Sequence, residues 1–505
     1  MPARKPEAAD TYHGAELIVV SNRLPVSVDL DHVDGLQLRT SDGGLVAAMA
    51  PVLRHRGGTW IGWPGVDRGT GAGAKALEEA LQAAGETEGY TLQPVWLSEE
   101  ERHGFYMGFS NEVIWPLFHD LQTLCNFDPA YWKAYESANQ RYAQVVAAVA
   151  APTDLIWVHD YHLFGVRQHL RAMGVETPAA FFLHIPFPAP DVFVKLPWRR
   201  PILEALLEYD LLGFQAVRDR RNFFDCIKRL MPEVRISGRG KAMVVAHMGD
   251  REVRVGTFPI SIDFNALTRA ASAPEVVAHA SELAAALPDR QLILGIDRLD
   301  YTKGIPERLL AFANALERYP ELRKHVTLIQ VVVPSRSEIP RYYELKHRIE
   351  NLVGEINGRF TQPGGWVPIH YIFRALTFTE LLAYYRAADI ALVTPLKDGM
   401  NLVAKEFCTC SPNEEGVLIL SEFAGAAVQM HQSALLVNPY SIEEVADAIH
   451  RACTMERTER RSRMRRLRRA IRRQDVFWWV DSFLRAATGR DASAFPPPRE
   501  LVHTN

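Results

Sequence analysis

The sequence is poor in the features that mark secreted, membrane-bound or metal-binding chains. It has 5 cysteines in 505 residues: Cys125, Cys226, Cys408, Cys410 and Cys453. An odd count with no Cys-x-x-Cys and no matching His spacing excludes a disulfide scaffold and a structural zinc site, so reduced thiols are expected. No run approaches the ~20 apolar residues that span a bilayer. Met1 to Gly14 is polar, without the apolar stretch of a signal peptide, and a cytoplasmic location with no membrane partner is expected. Excess charge is also missing: Lys plus Arg is 57, Asp plus Glu is 60 and the balance is −3, so no global basic field recruits nucleic acid. Neither a Walker A sequence nor a His-Glu-x-x-His motif occurs. No metal and no cofactor are expected.

What is present is apolar surface. The residues are 48% hydrophobic and 10% aromatic, which excludes disorder, and the length suits two large domains. Short apolar runs alternate with longer amphipathic stretches, the pattern of an α/β protein with parallel sheets. Strands are expected at Glu16 to Ser21, Asp154 to Val158, Ala179 to His184 and Asp210 to Phe214. A second series follows at Gln291 to Ile296, Val326 to Val333, Ile369 to Phe373, Ile390 to Pro395, Val417 to Ser421 and Leu435 to Pro439. The break falls near Thr257-Phe258-Pro259-Ile260, which predicts domains 1–258 and 259–474. Residues 457 to 473 hold ten arginines, but Met464, Leu467 and Ile471 recur at helical spacing, so a helix with one packed and one solvated face is expected, not a nucleic-acid arm.

The most informative stretch runs Gly295-Ile296-Asp297-Arg298-Leu299-Asp300-Tyr301-Thr302-Lys303-Gly304-Ile305-Pro306-Glu307-Arg308, from a strand into a helix whose first turn suits Pro306. Arg298 and Lys303 then stand at a strand's carboxyl end, where open α/β sheets bind ligands, and two fixed cations there match a diphosphate. Taken alone, such a pair is better explained by surface ion pairs. A second strand, loop and helix unit shifts the balance: Ile390 to Pro395 is followed by Leu396-Lys397-Asp398-Gly399-Met400-Asn401-Leu402-Val403-Ala404-Lys405-Glu406-Phe407. Gly399 permits close backbone approach, and amides at the helix start take phosphate or sugar oxygens. Glu406 is placed either to accept from a ribose diol or as an ordinary helix glutamate.

In the first half, Ser21-Asn22-Arg23-Leu24-Pro25 ends the first strand and Asp42-Gly43-Gly44-Leu45 opens a helix, its glycines letting an amide approach an anion. Trp157-Val158-His159-Asp160-Tyr161-His162 and Phe182-Leu183-His184-Ile185-Pro186-Phe187-Pro188 also end apolar strands, and their polar residues read as site-facing, although a lone His is by default a core residue. Trp63, Tyr106 and Trp115 suit aromatic walls for a sugar, but aromatics default to the core as well. Gly69 to Ala74 nearly fits the dinucleotide fingerprint without a preceding strand, and Asp29-Leu30-Asp31 has an Asp-x-Asp spacing in what reads as a polar loop.

The motifs Ser-Asn-Arg-Leu-Pro at 21, Gly-Gly-Leu at 43, His-Asp-Tyr-His-Leu at 159, Phe-Phe-Leu-His-Ile-Pro-Phe-Pro at 181, Asp-Leu-Leu-Gly-Phe-Gln at 210, Arg-Leu-Asp-Tyr-Thr-Lys-Gly at 298 and Asp-Gly-Met-Asn-Leu-Val-Ala-Lys-Glu at 398 occur in one order. The chain thereby resembles glycosyltransferase family 20, the trehalose-6-phosphate synthases, over roughly residues 16 to 485. The resemblance implies a GT-B fold of two Rossmann-like domains with parallel sheets facing across a cleft. A C-terminal helix at 475–490 would pack back on the first domain, and 491–505 would form a flexible tail.

The family activity it implies is transfer of glucose, with retained configuration, from a nucleotide diphosphate glucose to glucose 6-phosphate. Carried over, Arg298 and Lys303 would hold the diphosphate, with Gly43 and Gly44 approaching it. Asp398, with Gly399, Met400, Asn401 and Leu402, would bind donor glucose, Glu406 the ribose, and His184 the transferred sugar. Arg23, Tyr106 and Arg336 would hold the acceptor phosphate, and Trp63, Trp115 and Asp160 its sugar. UDP-glucose is the first expectation for the donor, with GDP- or ADP-glucose left open because Phe373-Arg374-Ala375-Leu376 departs from the best-known pattern beside the base. Multimers are common in the family, which makes a homo-oligomer, dimer or tetramer, an expectation. The alternatives are a relative of the same fold that forms a C–N bond, a non-catalytic sugar-phosphate-sensing subunit and, weakest, a nicotinamide-dependent dehydrogenase.

Overall fold

The computed structural model describes residues 16–29, 37–40, 43–66, 72–238, 243–336, 339–361 and 365–488. Contacts divide them into two units: the first runs to Phe258 and takes up the chain again from Ser482, and the second runs from Pro259 to Asp481. Helix Val476–Ala487 passes from the second unit to the first.

The first unit is built on nine strands in the order Thr91–Pro94, Thr59–Trp63, Leu17–Arg23, Leu155–His159, Ala179–Phe182, Leu211–Phe214, Arg251–Thr257, Val244–Met248, Arg235–Ser237. Pairing is parallel as far as Arg251–Thr257, and the last two strands turn antiparallel. Its central strands are continuously apolar because both faces are covered. Val19, Val20, Ile156, Trp157 and Val158 are fully buried. From the last helix, Phe483 stacks on Trp157 at 4.2 Å and closes over Gly213.

The second unit has six parallel strands in the order Ile369–Phe373, Val326–Val333, Gln291–Arg298, Ile390–Val393, Val417–Ser421, Leu435–Val437. In each sheet the strand order reverses near the centre. The reversal lies between Leu17–Arg23 and Leu155–His159 in the first unit, and between Gln291–Arg298 and Ile390–Val393 in the second. Crevices at the carboxyl ends of strands flanking such a reversal are where open α/β sheets take ligands.

Three strands occupy the residues read from sequence: Val326–Val333, Ile369–Phe373 and Val417–Ser421. Three end early, at Phe182, Val393 and Val437, where the chain turns into loops carrying polar residues. Thr59–Trp63, Thr91–Pro94 and the antiparallel edge were not expected. One expectation is corrected: Asp29 ends strand Val26–Asp29, which pairs antiparallel with Gln37–Thr40, so it does not sit in a polar loop. Leu30 and Asp31 lie outside the described residues, as do Gly69, Thr70 and Gly71 of the near-fingerprint. The arginine block forms helix Arg457–Arg473, with Met464, Leu467 and Ile471 buried. Its guanidiniums meet Glu414, Glu415 and Glu459 or the carbonyls of Cys408 and Thr409. Among the described residues no helix is long and apolar enough to cross a membrane.

Candidate functional site

In the second unit the chain leaves strand Gln291–Arg298 with Asp297 buried and Arg298 exposed. Pleat alternation aims one side chain inward and the next outward. The carboxylate of Asp300 accepts from the Thr302 backbone N–H at 3.0 Å and closes the turn Tyr301–Lys303. Gly304 then takes φ 64° with its Cα against the Thr394 carbonyl; a Cβ there would lie 2.5 Å from that oxygen, so glycine is required. Helix Ile305–Arg318 follows with Pro306 in its first turn.

The turn delivers the Lys303 ammonium to Asp398 Oδ2 at 2.6 Å, both side chains being mostly buried. Asp398 belongs to the loop after Ile390–Val393, across the order reversal, and the same oxygen accepts from Asn401 Nδ2 at 3.3 Å. Asn401 caps helix Leu402–Thr409 by accepting from the Ala404 N–H at 3.1 Å. Gly425 presses so closely on the Gly399 carbonyl that no side chain fits between them. Met400 is buried and its carbonyl accepts from Ala426. Glu406, one turn into the helix, accepts from the Tyr385 hydroxyl at 2.7 Å; burial pushes its carboxyl up and that hydrogen bond opposes the rise. Arg336, past strand Val326–Val333, stands in this unit with its Nη1 3.7 Å from Asp300.

In the first unit, Arg23 ends the first strand with its guanidinium 4.7 Å above the Trp63 ring and 5.9 Å from the Tyr106 ring, a cation held between two aromatic faces. Tyr106 stacks on His162 at 5.8 Å. It lies on a wide π-helix, His103–Ile114, whose Gly104 and Gly108 pack against Ala134 and Tyr131; such helices concentrate at functional sites. Trp115 is buried, 4.3 Å from His119 and 5.7 Å from Tyr161. Asp160 follows strand Leu155–His159, across the first unit's order reversal from Arg23, and accepts from the His184 N–H at 3.2 Å. The His184 ring lies 3.1 Å from His159 Nδ1, and burial lowers its pKa to about 3, so it is neutral at physiological pH. Gly43 and Gly44 are exposed at the start of helix Gly44–Arg56, and a Cβ at Gly43 would meet nothing.

The sequence-derived residues thus fall into two groups. Arg298, Lys303, Asp398 to Leu402, Glu406 and Arg336 gather at the strand ends of the second unit, and Arg23, Trp63, Tyr106, Asp160 and His184 at those of the first. Asp160, Arg336 and Asn401, all expected from sequence to be site residues, have positive φ values of 73°, 50° and 87°, strain of the kind that clusters where function demands it. Reasoning from sequence missed the support beneath the loops. Arg308 is fully buried, bonded to Asp297 at 2.6 Å and Thr394 at 3.0 Å, and donates to the Lys303 carbonyl at 3.3 Å. The signal was a charged residue, Asp297, inside an apolar strand, which must be paired.

The sequence matches the family described as glycosyltransferase family 20 over residues 15–488. It is 41% identical over 497 residues to a trehalose-6-phosphate synthase of Mycolicibacterium vanbaalenii, an alignment spanning 97% of this chain and 99% of that one. Among solved structures, an alpha,alpha-trehalose-phosphate synthase (UDP-forming) from Burkholderia xenovorans, in complex with glucose-6-phosphate, superposes with a TM-score of 0.84 at 35% identity, covering 94% of this chain and 100% of that one. An E. coli protein bound with UDP-2-fluoro glucose gives a TM-score of 0.83 at 35% identity over the same shares.

Proposed function

Because the chain belongs to glycosyltransferase family 20, we propose that it transfers glucose from UDP-glucose to glucose 6-phosphate with retention, releasing UDP and forming trehalose 6-phosphate. It is a glycosyltransferase of GT-B fold. The observation that carries the substrate reading is the group at the second unit's order reversal: exposed Arg298, and Lys303 paired with Asp398 at 2.6 Å. The relatives' ligands, a UDP-sugar analogue and glucose-6-phosphate, support the choice of donor and acceptor.

In this reading the second unit takes the donor. Arg298 and Lys303 neutralise the diphosphate, Asp398 accepts from glucose hydroxyls beside the amides of Gly399 to Leu402, and Glu406 accepts from the ribose. As the bond from C1 to the β-phosphate oxygen breaks, negative charge grows on that phosphate, and preorganised cations stabilise it by about 3 kcal/mol each. The acceptor hydroxyl attacks from the face the phosphate leaves, its proton passing to the departing phosphate as the new C1–O bond forms. Asp160, held at positive φ, and the neutral His184 orient the sugars. Arg23 between Trp63 and Tyr106 is assigned to the acceptor phosphate, and Arg336 in the second unit has the same assignment from the resemblance. Gly43 and Gly44 leave the helix start open for an oxygen of the donor.

The experiment is a donor screen with glucose 6-phosphate, in which product configuration is read by proton NMR. UDP release with an α,α-linked product is expected. No nucleoside diphosphate from UDP-, GDP- or ADP-glucose, or an inverted linkage, overturns the proposal.

A further inference from the structure

Asp300 stands between the two donor-phosphate cations in sequence and is 1% exposed. Its Oδ1 accepts from the Thr302 N–H at 3.0 Å and from the Thr302 hydroxyl at 2.9 Å. Its other oxygen faces Arg336 Nη1 at 3.7 Å. Arg336 is itself buried along its side chain, at 7% exposure, and donates to the Tyr342 hydroxyl at 2.6 Å. The two residues reach each other because they leave adjacent parallel strands in register, Arg298 opposite Val333.

Closing the turn does not explain the charge. An asparagine would offer Thr302 the same oxygen, without the penalty of burying an anion. What a carboxylate adds is attraction, and the cations around it are those assigned to substrate phosphates. Burial raises the Asp300 pKa, yet Arg336, Lys303 and Arg298, in that order, pull it below the usual value, helped by the Thr302 N–H. Lys303 has a second carboxylate in Asp398 at 2.6 Å, but Arg298 and Arg336 would repel each other more strongly without Asp300 until a phosphate arrived. With it, they are set before the ligand binds, which is the condition for cations to act on a transition state.

We propose that Asp300 is a positioning residue whose buried carboxylate holds Arg298, Lys303 and Arg336 in one arrangement, so that donor-phosphate and acceptor-phosphate recognition share an anchor. This rests on the substrate reading given above. The test is Asp300→Asn, which preserves the turn acceptor. With UDP-glucose and glucose 6-phosphate, kcat/KM is expected to fall about ten- to a hundredfold for each substrate, the size of effect that misplaced groups produce, measured at a temperature where the variant is folded, because Arg336 loses its buried partner and the melting temperature falls with it. In an Arg336→Ala background, Asp300→Asn is expected to lower kcat/KM for the donor only.

Wild-type kinetics in Asp300→Asn would leave only a turn and overturn the proposal. So would lower KM values for both substrates at unchanged kcat, the sign of a mere charge offset. UDP affinity by calorimetry reads the same anchor without turnover and is expected to weaken in Asp300→Asn. Should the wild-type protein bind UDP yet transfer no glucose, the reaction is refuted, and an unweakened UDP affinity would separately refute the anchor. If Asp300→Asn does not fold, Tyr342→Phe serves: loosening Arg336 from its other partner is expected to raise the KM for glucose 6-phosphate alone, and an unchanged KM would overturn the shared arrangement.

Discussion

Replacing Arg308 with methionine keeps an unbranched apolar stem and deletes the charged guanidinium. The guanidinium is buried on all sides, with Asp297 Oδ2 at 2.6 Å, Thr394 Oγ1 at 3.0 Å, and Gln330 Oε1 and the Lys303 carbonyl each at 3.3 Å. Removing one partner of a buried ion pair costs about 3–5 kcal/mol, because the other charge is left unpaired. In a unit of this size that corresponds to a fall of roughly 10 °C in melting temperature. Asp297 supplies an internal check. Burial already raises its pKa against the pull of Arg308 and Lys303, and losing Arg308 raises it further. A carboxyl whose folded pKa lies above its unfolded value takes up a proton on folding. The variant's deficit should therefore be small at acid pH and grow as pH climbs through the raised pKa. Urea unfolding followed by tryptophan fluorescence measures it, and adding Asp297→Asn should recover most of the loss. A deficit below about 1 kcal/mol, where surface pairs fall, or one that Asp297→Asn fails to relieve, would refute the reasoning.

Lys405 is 1% exposed, donates to the Ile260 carbonyl at 2.7 Å and is pulled by burial from 10.5 down to about 7. The folded state then binds fewer protons than the unfolded one between those two values. The lysine costs stability below pH 7, and the cost fades as pH rises toward 10.5. Lys405→Met should gain most over the wild type near pH 6 and least near pH 10, and a pH-independent difference would contradict this. His184, lowered to about 3 by burial, stays neutral through the working range, so His184→Asn should reduce kcat without moving the acid limb of the rate profile. A limb near 6.5 that vanished in the variant would show that His184 titrates in that range. Gly304→Ala forces a Cβ against the Thr394 carbonyl at positive φ, with an expected loss of about 1–3 kcal/mol and a raised donor KM, since Lys303 precedes it. An unchanged KM would show that the loop tolerates the shift.

Central strands were legible because a parallel strand buried on both faces has little choice but continuous apolar residues; Val326–Val333 reads that way from end to end. Strands Val244–Met248 and Arg251–Thr257, which lie beside the edge strand Arg235–Ser237, carry His247, Arg251 and Glu252. A half-exposed edge tolerates polar residues, and the pattern fades into that of a loop. Thr59–Trp63 was read for Trp63 alone and not for its pairing with the first strand. Charged groups at strand ends, such as Arg298 and Asp398, stood out against apolar runs. Arg308 and Lys405 did not, because a helical arginine or lysine looks the same whether buried or solvated, and only the packing around them makes them costly. Nothing in the segment His103–Ile114 announces a π-helix either; the wide turn exists because Gly104 and Gly108 let it lie against Ala134 and Tyr131.

The central claim is that cations at the second unit's strand ends carry the departing diphosphate, and Arg298→Ala tests it most directly. Arg298 is exposed where its strand ends, so the variant should melt at the wild-type temperature. UDP release from UDP-glucose and glucose 6-phosphate should fall about a hundred- to a thousandfold, as for other lost transition-state donors. Undiminished release by the folded variant would contradict the account.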